Sequence, residues 1–135
     1  TALKKAVHSL ELAVSKMQNS QFVSGLDEDT LAIFKAGVIQ NFEFTYELCW
    51  KFMKRWLSQN IGTDFTEGLT RLELFRLAAE NLLIENTEKW ILFHKARNIT
   101  SHTYNAETAE EIYSLSPAFA LEARKLLLIL ERKND

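Results

Sequence analysis

The chain is expected to be all-α, an antiparallel up-and-down bundle of four or five helices, with residues 1–135 forming a single domain. Three observations carry that expectation. At 135 residues and 47% hydrophobic content, the chain can bury a core without metals or disulfides to staple it. Four glycines and one proline are too few for the many tight turns of an all-β fold. Apolar residues recur at steps of three and four, the spacing of one helix face.

Leu3, Val7, Leu10, Val14 and Met17 form such a stripe and predict a first helix over most of the first 18 residues. Asn19 to Asp27 carries Ser, Gln and Gly with little periodicity and reads as a connection. Asp27 can cap a long second helix that reaches about Gln59. Val38, Phe42, Thr45, Cys49, Phe52 and Trp56 make one row on it, and Ile39, Tyr46, Trp50, Met53 and Leu57 a second. Gln40, Glu43, Glu47, Lys51, Lys54 and Ser58 line the opposite face, where Glu47 can pair with Lys51 one turn later. Two apolar rows need two partners, so this helix is expected at the centre of the bundle and shared with a second subunit.

Asn60-Ile61-Gly62 stops the second helix, with Gly supplying a backbone conformation that other residues resist. Thr70 and Glu73 have capping-box spacing, which predicts a third helix from Arg71 to about Leu82 with Leu72, Phe75, Leu77 and Ala79 as its apolar contacts. Asn86-Thr87-Glu88 starts a fourth helix that runs from about Glu88 to Ser101. The last begins near Ala106 after Asn105, carries Ile112, Leu115, Phe119, Leu126 and Leu130, and ends by about Arg132. Pro117 inside it predicts a kink, or a fresh start with Ser116 as cap.

Composition excludes several function classes. With 16 basic and 18 acidic residues the formal charge is -2, so the whole molecule does not attract nucleic acid and any RNA contact must come from a local patch. Cys49 is alone, which rules out an intramolecular disulfide and offers no zinc cluster, as expected of a cytoplasmic protein. No metal or cofactor is expected, and no Gly-rich phosphate loop is present. No apolar run approaches the roughly 18 residues that span a bilayer, so no membrane association is expected.

The polar segment from Arg97 to Tyr104 is chemically distinctive. At about 100° per residue, taking Arg97 as zero, Ser101 falls near 40°, Asn98 near 100° and His102 near 140°. These four share an arc, and His94, near 60° on the same wheel, falls inside it as a second titrating group or an incidental one. Leu92, Ala96 and Ile99 project oppositely and are expected to face the core. Histidine exchanges protons near neutral pH and a guanidinium grips phosphate oxygens with its planar fork, so the pair suits phosphodiester chemistry on RNA, whose 2′-hydroxyl is an internal nucleophile. The same residues at a helix end also suit a plain solvated cap near the helix's negative pole. Trp50 and Trp90 read as core anchors.

Arg97-Asn98-Ile99-Thr100-Ser101-His102-Thr103-Tyr104 resembles the Arg, four residues, His, one residue, Tyr motif of HEPN proteins, in particular their nucleotidyltransferase substrate-binding group. Gln40-Asn41-Phe42-Glu43-Phe44-Thr45-Tyr46-Glu47-Leu48-Cys49-Trp50-Lys51 resembles that group's long-helix signature, and the likeness extends over about Leu31 to Tyr113. The resemblance implies a homodimeric helical bundle that works with a minimal nucleotidyltransferase (MNT) partner, as a metal-independent endoribonuclease toxin or as the nucleotide-binding subunit of a two-protein transferase. It implies Arg97 and His102 as catalytic residues, His102 as general acid or base and Arg97 as phosphate and transition-state binder. Asn98 is implied as an orienting polar group and Tyr104 as the residue that the partner modifies with AMP; Ser101, from the shared arc, and Glu43, as a carboxylate open to Arg97, join Asn98 as candidate accessory or phosphate-binding groups. Two positions depart from the pattern. Asn41 stands where many relatives carry Arg, and Lys95-Ala96 stand where acidic residues are common, so an acidic partner for Arg97 must come from Glu43 or Glu47.

Overall fold

The computed structural model describes the backbone of residues 1–102 and 105–134 and the side chains of residues 1–99 and 105–133. Among the described residues there are six α-helices and no strand: α1 (Ala2–Gln18), α2 (Ser20–Ser24), α3 (Glu28–Ile61), α4 (Arg71–Glu80), α5 (Thr87–His102) and α6 (Ala106–Asn134). A single 3₁₀ turn, Thr63–Phe65, follows α3. The all-α expectation holds; the short α2 and the 3₁₀ turn carry no apolar stripe and were not foreseen.

Each helix begins where a side chain can satisfy its free amides. Thr1 caps α1 and Asn19 caps α2 through the Phe22 amide at 3.1 Å. Asp27 Oδ1 accepts from the Thr30 amide at 2.7 Å. Thr70 and Glu73 close the expected capping box at 3.2 and 2.9 Å. Asn86 Oδ1 accepts from the Lys89 amide at 3.2 Å, and Asn105 exchanges bonds with Thr108 at the start of α6. Gly62 ends α3 with φ of 108°, a conformation in which a Cβ is strained. Helix α4 stops two residues short of Leu82, because Leu82 itself turns into the left-handed region at φ of 62°. The Leu83 amide then reaches the Ala78 carbonyl at 2.9 Å and the Leu82 amide the Ala79 carbonyl at 3.0 Å, the paired bonds of a Schellman end without its usual glycine.

Helix α6 runs through Pro117 without a break, so Ser116 is not a cap. Its buried hydroxyl donates to the Ile112 carbonyl at 2.8 Å.

Helices α1, α3 and α6 pack on one another; α5 lies on α3 and α6, and α4 on α3 and α5. The central position expected of α3 is therefore met within one chain. All five residues of the α1 stripe are buried, as are Val38, Ile39, Phe42, Tyr46, Cys49, Met53 and Leu57 of α3. Thr45, also buried, donates to the Ala6 carbonyl at 3.3 Å and so ties α3 to α1 without an unmet hydroxyl. The aromatic heart of the bundle is Phe119, with ring centroids of Phe42 at 4.8 Å, Phe93 at 5.0 Å and Trp90 at 5.8 Å.

Two helix phases differ from expectation. On α4 the buried residues are Leu74, Phe75 and Ala78, while Leu72 is exposed. On α5 Trp90 and Phe93 enter the core, whereas Leu92 and Ile99 face outward. Trp90 and Phe93 lie seven and four residues before Arg97, so Arg97 continues the core-facing stripe and does not oppose it. The larger apolar area of the two aromatics fixes the rotation of the helix.

Candidate functional site

The rotation of α5 turns Arg97 toward the polar face of α3. Residues Gln40, Asn41, Glu43, Phe44, Glu47 and Arg97 line an open cleft of about 540 Å³ between the two helices. Arg97 Nε lies 3.5 Å from Glu47 Oε1, and the indole nitrogen of Trp50 donates to the other oxygen, Oε2, at 3.0 Å. Glu47 therefore faces Arg97 and Trp50 in place of the expected Lys51, whose ammonium stands 5.7 Å over the Trp50 ring. Both Arg97 and Glu47 are partly exposed, so their attraction is screened and its value is in orientation more than in stability.

Arg71, at the first position of α4, stacks its guanidinium 3.5 Å over the Trp50 ring. No sequence motif marks it, and Trp50 is less a core anchor than the plate between Glu47 and this second cation. The Tyr46 hydroxyl, on α3, lies 2.7 Å from His94 Nδ1, and Asn98 Nδ2 lies 3.2 Å from His94 Nε2. Desolvation lowers the His94 pKa below 6.5; the Arg71 charge adds to this and Glu47 opposes it. Burial raises the Tyr46 phenol far above its ordinary range, so it stays neutral.

Asn41 accepts from the Ser9 hydroxyl at 2.8 Å and donates to the Gly37 carbonyl at 2.9 Å. It pins α1 to α3 at the cleft's edge, a structural use that an arginine would not fill in the same way. Glu43 lines the cleft beside Phe44, whose side chain is exposed. Among the described residues, Arg97 and Glu43 of the expected site line this one cleft, while Asn98, the next residue on α5, meets His94. Helix α5 extends to His102, but the side chains of Ser101 and His102, and all of Tyr104, lie outside the described residues. Trp50, Arg71 and Tyr46 are the members that sequence reasoning did not assign, whereas Glu47 was one of the two carboxylates it offered to Arg97; the signal available for Tyr46 and Trp50 was their place on α3 beside Glu47, and Arg71, on α4, carried none.

Among the described residues no group of three or more His, Cys, Asp or Glu side chains is arranged to hold a metal ion, and no helix is long and apolar enough to cross a membrane. Cys49 is buried, and desolvation raises its thiol pKa, so it is a packing residue and not a nucleophile.

Comparison with known proteins places this chain in a family. The family model for nucleotidyltransferase substrate binding protein like sequences matches residues 1–132. A Haemophilus influenzae protein described as a probable ribonuclease, HepT, is 38% identical over 137 residues, covering 98% of this chain and 92% of that protein. A solved structure from Haemophilus influenzae, described as revealing the fold of a substrate binding domain of a nucleotidyltransferase, superposes with a TM-score of 0.90 at 36% identity over 96% of each chain. A Thermus thermophilus crystal structure superposes with a TM-score of 0.74 at 25% identity, over 95% of this chain and 98% of that one. The Arg97 motif, the α3 signature and the full-length match together make this chain a member of the nucleotidyltransferase substrate-binding group of HEPN proteins.

Proposed function

We propose that this protein is a metal-independent endoribonuclease that acts as a homodimer and is controlled by a minimal nucleotidyltransferase. The observation that carries the reading is Arg97, held by Glu47 on the wall of an open cleft, on the helix that ends in His102. Similarity to the Haemophilus influenzae protein described as a probable ribonuclease supports it.

In this reading His102 takes the proton of a ribose 2′-hydroxyl, whose oxygen attacks the adjacent phosphorus. The bond from phosphorus to the 5′-oxygen breaks, the 5′-oxygen gains a proton, and the products are a 2′,3′-cyclic phosphate and a 5′-hydroxyl. Arg97 neutralises charge building on the phosphoryl oxygens. Glu43, a carboxylate, repels phosphate and serves as an acceptor for ribose hydroxyls or base amino groups. Ser101 and Asn98 orient the phosphate, and two chains bring two motifs to one cleft. Tyr104 is the acceptor for AMP from the partner, its phenol oxygen displacing pyrophosphate from ATP.

The experiment is cleavage of RNA by purified protein in the presence of a chelator. Cyclic phosphate ends from the wild type, and their loss in His102→Ala, are expected; equal cleavage by both proteins overturns the reading. A second reading, the substrate-binding subunit of a two-protein transferase, draws on the Haemophilus influenzae structure described as a substrate binding domain. Tight nucleotide binding by a wild type that never cleaves RNA would favour it instead.

A further inference from the structure

We infer that His94 is a positioning residue, which fixes how the Asn98 carboxamide is turned beside Arg97. The kinetic consequence rests on the ribonuclease reading; the structural one rests on the geometry alone. His94 lies one turn before Asn98 on α5, and both of its ring nitrogens are engaged, Nδ1 with the Tyr46 hydroxyl at 2.7 Å and Nε2 with Asn98 Nδ2 at 3.2 Å. An amide nitrogen can only donate, so Nε2 holds the lone pair and Nδ1 carries the proton, donating to the Tyr46 oxygen.

Tyr46 is a fixed point for this chain of bonds. It is buried, its ring is packed against Phe42, Phe75 and Phe119, and the imidazole lies against it with centroids 5.9 Å apart. Among the described residues, the charged and titratable groups around His94 are Tyr46 and Glu47 from α3, Arg71 from α4, and Arg97 three residues on along α5. Desolvation and the Arg71 charge act against imidazolium, and Glu47 opposes them. A second proton, on Nε2, would set two donors face to face and force the Asn98 amide to turn by half a revolution. Oxygen and nitrogen would then exchange places on the side away from His94. A phosphate oxygen needs a donor and a ribose hydroxyl can use an acceptor, so the turn matters to any RNA that meets Asn98. A neutral His94 keeps one orientation in place across neutral pH.

The test is a double-mutant cycle read on RNA cleavage, together with NMR of the full-length protein. His94→Phe is expected to lower kcat by about tenfold or more with little change in KM, Asn98→Ala to do the same, and the double variant to be no worse than Asn98→Ala alone. His94→Gln, which retains an acceptor, is expected to recover part of the loss, and it carries the cycle if His94→Phe does not fold. Imidazole nitrogen shifts should show Nδ1 protonated and Nε2 bare at pH 7, and the Asn98 side-chain amide resonances should move in the His94 variants. Additive losses in the cycle, a charged or Nε2-protonated imidazole at pH 7, or unmoved Asn98 resonances overturn the inference. If the wild type cleaves no RNA, the ribonuclease reading fails and the NMR result alone decides the role of His94.

Discussion

At Arg97 a guanidinium with 25% of its side chain exposed meets a Glu47 carboxylate with 34% exposed, at 3.5 Å. A pair this wet contributes at most about 1 kcal/mol to folding, so its effect is felt in where the fork of Arg97 points. Glu47→Gln keeps the size and the acceptor for Trp50 while removing the charge that orients Arg97. Unfolding in urea should show a stability change within about 1 kcal/mol, whereas under the proposed ribonuclease function RNA cleavage should fall about ten- to a hundredfold, as expected if Arg97 binds the reacting phosphate and loses its alignment. The sequence offered Lys51 as the natural partner of Glu47 by its spacing. The rotation of α5 decided otherwise, because a long-range cation entered the same space. His94 adds a pH dependence whose sign follows from its lowered pKa. The unfolded chain binds a proton there near pH 6.5 and the folded one only at lower pH, so this group's contribution is complete above about 6.5 and declines as pH falls through the folded value.

Helix ends are where sequence and structure agree most closely, and α4 shows both outcomes. Its start was legible because Thr70 and Glu73 are three residues apart, and each satisfies the other's amide. Its end was not, because the residue that takes the left-handed conformation is Leu82, with 73% of its surface exposed. A leucine there pays the steric cost of its Cβ and gains almost no burial in return. Leu82→Gly should therefore raise stability by about 1 kcal/mol, seen as a higher urea midpoint at unchanged m-value; a lowered midpoint would show that the leucine makes a contact worth more than the strain. Helix α6 presents the opposite case. Pro117 suggested a kink or a fresh start by local rule, and α6 does not start afresh there, because Ile112, Phe119, Ala123 and Leu126 bury one face on both sides of it. Tertiary packing of that face outweighs the lost amide.

For the whole molecule, the aromatic cluster around Phe119 couples α3, α5 and α6, and with them both walls of the cleft. Phe119→Ala removes the ring that touches Phe42, Tyr46, Trp90 and Phe93. It should cost about 3–5 kcal/mol in global unfolding, measured by denaturant titration, and should loosen Arg97 as well. Elsewhere Arg124 holds Glu11 through two bonds, one of 2.9 Å, tying α6 to α1. The hydrogen bond from Arg124 lowers the Glu11 pKa from 4.5, so that link is present above 4.5 and weakens as pH falls through the lowered value. By itself the sequence determined the helix class, the starts of α3, α4, α5 and α6, the apolar stripes of α1, α3 and α6 and the Arg97 motif, since these depend on spacing within one helix or on a local pattern of residue types. Only the tertiary structure decided the rotation of α5, and with it the meeting of Arg97, Glu47 and Trp50 and the chain of bonds from Tyr46 through His94 to Asn98. The face that a helix buries is settled by what it packs against, and for α5 the two aromatic rings of Trp90 and Phe93 prevailed over the aliphatic Leu92 and Ile99.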